Sequence, residues 1–225
     1  MFDPGGEKVL REQIESGLVF PNTDPIFGGW TAFAEEVARL YVGGFFNQIG
    51  TLAIDSLTTM SQSAMEHILQ KGGRSGGVPQ RDDYLKQQMI LKSILYDQTK
   101  KDFKGLCSLS CNFITTAHLE TEKDDVTGRI KANPIVTGKL KTSIPLLFDE
   151  VYVCTTKPGP KGTEYRLLTQ NEGYYKARTR IGAYKFEMYE DPNITKLLEK
   201  SGIIEKPEEQ KQPSKQEETK DGNVC

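Results

Sequence analysis

Thr51-Leu52-Ala53-Ile54-Asp55-Ser56 is a short uncharged run closed by a carboxylate and a hydroxyl. It is too short for a helix and its apolar residues are contiguous, so it reads as a strand buried in a parallel sheet. Working outward, Thr31 predicts an N-cap for a helix through Ala32 to about Phe46, with Phe33, Val37, Leu40 and Tyr41 on one face and Gly43 and Gly44 weakening its last turn. A second helix follows the strand, from about Thr58 to Gln70. Lys71 to Gln80 holds four glycines and a proline and reads as a flexible loop. Asp82 or Asp83 then caps a long helix that buries Ile90, Ile94 and Leu95, and Cys111 to Thr116 is the next strand. Strands and helices taking turns in this way predict an α/β fold with a mostly parallel sheet flanked by helices.

Beyond Ala117-His118 the stretch from Leu119 to about Ser143 is polar and dotted with Gly128, Pro134 and Gly138, a loop long enough to suggest function. Leu146 to Cys154, Tyr165 to Thr169 and Ala183 to Met188 read as late strands, with Pro158-Gly159-Pro160-Lys161-Gly162 as a hairpin turn. The 225 residues, 36% hydrophobic and 27% charged, suffice for one domain with a core and an appendage. We place that core at residues 1–200 and a disordered polar tail at 201–225, where Glu, Lys, Gln and Pro leave too little apolar surface to offset the entropy of ordering. Six acids face four lysines from Glu205 onward, which accounts for the net charge of -2 and leaves the body neutral. Local patches, not global charge, must therefore point to a polyanionic partner. Neither a membrane span nor a secretory leader is legible, so a soluble protein of the cytoplasm is expected. Cys107, Cys111, Cys154 and Cys225 form no CxxC pair, and read as reduced thiols.

Four features carry chemistry. An apolar strand ending in aspartate has the Walker B pattern, in which Asp55, with Ser56 beside it, meets the water shell of a nucleotide-bound magnesium ion; an Asp-Ser ending equally serves to start a turn. One strand later, Thr115-Thr116-Ala117-His118 ends in polar side chains able to report a γ-phosphate to the loop beyond. Two glycine-bearing loops carry cations: Lys71, Arg74 and Arg81 in the first, and Lys123, Arg129, Lys131, Lys139 and Lys141 in the second. Such loops follow a phosphate backbone or are simply solvated, and neither holds an obvious stacking aromatic. Finally, Arg178 and Arg180 alternate along an extended segment and so point the same way, a pair suited to a phosphate or carboxylate.

In their order and spacing these features resemble the RecA-like ATPases, and more closely the phage-encoded nucleotide-binding AAA proteins that act as minimal recombinases or annealing proteins. The resemblance runs from about Met1 to Leu198. It rests on Leu52-Ala-Ile-Asp-Ser-Leu-Thr58, Phe113-Ile-Thr-Thr-Ala-His118, Gly138-Lys-Leu-Lys-Thr-Ser-Ile-Pro145 with Phe148-Asp-Glu-Val-Tyr152, and Ala177-Arg-Thr-Arg-Ile-Gly182. It implies ATP and magnesium as cofactors, with Asp55 at the metal and His118 at a sensor position. It also implies two DNA-binding loops facing the axis of a ring or filament, Arg178 and Arg180 reaching a neighbouring subunit's nucleotide, and Asp3 orienting the attacking water. Single-stranded DNA, a homo-oligomer and the cytoplasm of a bacterial host are the corresponding partners and setting, with no membrane.

The chain departs from that family in one respect: G-x-x-x-x-G-K-[ST] occurs nowhere in it. The backbone amides and lysine of that loop supply most phosphate binding, so the P-loop strand and helix are expected upstream or in another chain, and this chain alone is expected to bind ATP poorly. The lack of a central strand predicts self-association through unpaired backbone groups. The alternatives are a non-catalytic DNA-binding or annealing module, and an assembly subunit whose loops contact protein.

Overall fold

The computed structural model describes residues 2, 5–123, 125–160 and 162–205. Its helices are α1 (Arg11–Glu15), α2 (Asp24–Val42), α3 (Leu57–Lys71), α4 (Arg81–Leu95), α5 (Leu140–Ser143) and α6 (Ile194–Ser201). Its strands are β1 (Thr51–Ile54), β2 (Asn112–Thr115), β3 (Leu119–Lys123), β4 (Ile130–Pro134), β5 (Val153–Gly159), β6 (Gly162–Leu168) and β7 (Tyr189–Glu190). The architecture is mixed α/β with three small sheets. Asp3 and the residues from 206 onward lie outside the described residues, and with them the water-orienting role of Asp3 and nearly all of the expected tail.

The sheets correct the sequence reading. Only β1 and β2 pair in parallel among the described residues, with Thr51 opposite Asn112 and Ile54 opposite Thr115. The segment from β3 to β4 is an antiparallel hairpin, and β5, β6 and β7 form an antiparallel meander, so a RecA-like, mostly parallel sheet is not seen. The reason is local. Parallel pairing needs a crossover of a dozen or more residues, which α3 and α4 provide between β1 and β2; β3–β4 and β5–β6 are hairpins whose short connections force reversal, and β7 returns antiparallel to β6 after residues 169–188. Nor is the parallel pair covered on both faces. Ile54 is buried and Leu52 and Phe113 pack against the helical core, whereas Ile114, 40% exposed, lies on the open side.

The main core joins Trp30, Phe33 and Val37 of α2, Met60 and Ala64 of α3, and Leu91 and Leu95 of α4, with Ile54 beneath them. Met60 and Leu91 are 0% exposed, and each such side chain stabilises the fold by about 1.5–3 kcal/mol. Two smaller clusters, one around Leu168 and one around Leu197, hold the meander and α6.

Several element ends differ from expectation. Helix α2 starts at Asp24 and breaks at Gly29, whose φ of 61° only glycine adopts easily. The helical run that carries Phe33 and Val37 thus begins just past Gly29, with Thr31 in its first turn rather than at its cap, and the Thr31 hydroxyl meets His67 Nδ1 at 3.3 Å. Burial, with Lys71 nearby, holds the His67 imidazole below its ordinary pKa. Gln80 holds the N-cap position of α4, and Asp83 in its first turn closes the cap by accepting from Gln80 N at 2.8 Å. Leu146 lies in a 3-10 turn (Ile144–Leu147), so the expected strand begins only at Val153; Ala183 to Met188 form turns and bends. The hairpin turn between β5 and β6 is where the Pro-Gly pattern placed it, with Gly159 opposite Gly162.

Candidate functional site

Asp55 stands half-buried just past the C-terminal end of β1, and the neighbouring parallel strand delivers a hydroxyl to it. Thr116 Oγ1 donates to Asp55 Oδ1 at 2.5 Å. The two strand ends are laced further by Thr116 N to Ile54 O at 3.2 Å, Leu57 N to Thr116 O at 2.8 Å and Phe2 N to Asp55 O at 2.6 Å. The Asp55-Ser56 peptide is cis. Ser56 does not join Asp55 at a metal. It is 1% exposed and caps α3, its Oγ accepting from Thr59 N at 3.3 Å. A buried hydroxyl committed to a helix end has no approach to an ion, which corrects its assignment to the cofactor.

Among the described residues no three or more carboxylate, imidazole or thiol groups cluster as a metal cage. One carboxylate at a strand end suits an ion that keeps its waters and is held chiefly by a nucleotide, and Asp55 alone would meet it. Bound there, the ion would neutralise phosphate charge.

The other expected catalytic side chains are dispersed. His118 is exposed two residues beyond Thr116, with its N donating to Thr58 Oγ1 at 3.1 Å and its O accepting from Ile135 N at 2.8 Å. Thr116, rather than His118, is the polar residue in contact with Asp55. Arg178 donates to Pro145 O at 2.8 Å and Phe148 O at 2.6 Å, and Arg180 pairs with Asp149 at 2.6 Å. Both arginines thus reach the same segment, as their spacing suggested, but they tie it down within the chain.

The two cation-bearing loops converge. Pro79 from the first, and Glu120, Ile135 to Gly138 and Lys141 from the second, line one cleft of about 590 Å³ whose other walls are α3 and α4. The second loop is not irregular: β3 and β4 build it, and Ala132 N donates to Tyr174 O at 3.0 Å, joining it to the later chain. The cations divide into two groups. Arg74 grips Asp83 with both terminal nitrogens at 2.7 and 2.8 Å, and the guanidinium, with the Gln80 N–H, pulls the Asp83 carboxyl down to about 2. Lys141 bridges Glu120 at 2.5 Å and Glu122, which raises its own pKa and lowers that of Glu122. These two therefore brace the loops and are corrected as DNA contacts: an ion pair must break before either meets a phosphate. Lys71, Arg81, Lys123, Arg129 and Lys139 are exposed and form no ion pair among the described residues; Lys131 is exposed too.

The sequence reading missed the cleft's polar floor. Gln87, 3% exposed, donates to Ser61 O at 2.6 Å and accepts from Thr137 Oγ1. Asp83, Gln87, Leu91 and Leu95 are the buried side of α4, an i, i+4 stripe disguised by its two polar members. Leu85 and Met89, at 53% and 72% exposed, lie outside it. Gly138, at φ 56°, closes the rim; a Cβ there would come within 3.0 Å of Gln88 Nε2. The described cysteines Cys107, Cys111 and Cys154 are free, and burial pushes the Cys107 thiol up to about 11. No described helix is long and apolar enough to cross a membrane. No family model matches the chain, and no match was found among curated proteins or solved structures.

Proposed function

We propose that this chain acts on single-stranded DNA as a RecA-like, ATP-binding and ATP-hydrolysing protein, in a ring or filament of identical subunits. One observation carries the reading: the Asp55–Thr116 hydrogen bond lies at the root of the hairpin that lines the cleft. Three residues separate Thr116 from Glu120, and His118 among them is anchored to Thr58, itself a lining residue. A change of charge next to Asp55 acts first on the Thr116 hydroxyl, and through this short, hydrogen-bonded stretch on the position of β3 and β4. Asp55 thus serves as metal-facing acid and Thr116 as the group that senses its state, while the exposed cations of both loops hold the phosphate backbone.

ATP hydrolysis by the purified chain, with and without single-stranded DNA, tests this against Asp55→Asn. DNA-stimulated turnover that is lost in the variant supports it; equal turnover in the variant overturns the role of Asp55. A second reading, a DNA-binding or annealing module without catalysis, is favoured by the lack of a G-x-x-x-x-G-K-[ST] loop in the sequence. It predicts no turnover, and DNA binding that falls steeply with salt and ignores ATP.

A further inference from the structure

We infer that the cleft between the two loops takes one nucleobase of the bound strand, with Tyr84 as its stacking face and the carboxamides of Gln62 and Gln88 as readers of its edge. The inference rests on the single-stranded DNA reading and adds where a base goes. All three residues line the cleft, and none of their side chains has a hydrogen-bond partner among the described residues. Tyr84 is 42% exposed, so its ring is open to a ligand. Met65, Ile135 and Val136 supply apolar wall. The floor is set beforehand, because both ends of the buried Gln87 amide are already hydrogen-bonded, to Ser61 and Thr137. An apolar slot with a phenol ring and two unengaged amides matches a flat heterocycle with donors and acceptors on its rim.

Charge excludes the phosphate as occupant. The ionic groups lining the cleft are Glu66, Glu120 and Lys141. Glu66 accepts from Ser75 Oγ at 2.6 Å, and Lys141 is held by Glu120 at 2.5 Å and by Glu122. The lining therefore offers no unpaired cation to an anion, and its surplus of carboxylate repels one. The exposed cations stand beside the cleft in the chain: Lys139 follows Gly138, and Arg81 lies two residues beyond Pro79. A strand whose phosphates meet these cations presents its base inward. The aromatic absent from both loops is thus provided by the first turn of α4.

The test compares a short fluorescent single-stranded oligonucleotide with one of the same length whose sugars carry no bases, both measured against the intact chain over a salt series. The normal oligonucleotide is expected to bind about tenfold tighter, the share of one stacked base. Tyr84→Ala is expected to remove that advantage without altering the salt slope or the binding of the abasic strand, Tyr84→Phe to keep it, and Gln88→Leu to weaken only the normal strand. Equal binding of both oligonucleotides by the unaltered chain overturns the base slot and leaves the DNA-binding reading standing, even if Tyr84→Ala fails to fold. No binding of either strand at low salt overturns both.

Discussion

The two loops that flank the cleft both carry cations and differ in construction. The first, between α3 and α4, is rich in glycine yet is clamped by a two-pronged ion pair whose acid, Asp83, has a side chain only 2% exposed. The second, read as an open loop, is a β-hairpin braced by Lys141, whose partners Glu120 and Glu122 are 36% and 47% exposed. A buried carboxylate is costly to leave unpaired, whereas an exposed one regains water when its partner goes. An ion pair in each loop therefore does not mean an equal contribution: the first loop is fixed by its ion pair, the second by its backbone ladder and adjusted by its ion pair.

That contrast has measurable consequences, the largest at Arg74. Arg74→Ala strands the Asp83 carboxylate against α4 and is expected to lower Tm by several degrees and to open 72–80 to protease, read by thermal melts and limited digestion. An unchanged Tm would place the loop's order elsewhere. Acid should next separate the loops. The Asp83 carboxyl is pulled from 3.8 to about 2, so its stabilisation is fully present above pH 3.8 and is lost only as pH falls through about 2. Glu122 is lowered from 4.5 by Lys141, and its contribution, present above pH 4.5, is lost as pH falls below that value. Carboxylate resonances followed by NMR should therefore show Glu122 protonating before Asp83; the reverse order would break the comparison. The smallest effect belongs to Lys141→Met, which leaves the β3–β4 ladder intact and should cost up to about 1 kcal/mol in denaturant melts.

Legibility followed the range of the interaction that decides each feature. The strand at Thr51 to Ile54, the helix after it, the hairpin turn at Pro158 to Gly162 and the strand ending before Thr116 all rest on neighbours in sequence, and each was placed within a residue or two. On α4 the pattern found Leu95, which is buried, and Ile90 and Ile94, which pack against the core, but passed over Asp83 and Gln87, because a hydrophobicity pattern has no means of registering a buried amide that Ser61 and Thr137 satisfy.

The sequence by itself therefore determined β1, β2 and the helices between them, the carboxylate at the end of the first strand, and the cation-bearing segments on either side of β2. Tertiary structure alone decided that a single pair of strands among the described residues runs parallel, that Thr116 meets Asp55 while Ser56 turns inward to cap a helix, and that Arg74 and Lys141 brace loops whose other cations remain exposed. The physical reason is that propensity and capping act over a few residues, whereas burial and ion pairing depend on groups such as Asp55 and Thr116, or Glu122 and Lys141, that only the folded chain brings within hydrogen-bonding distance.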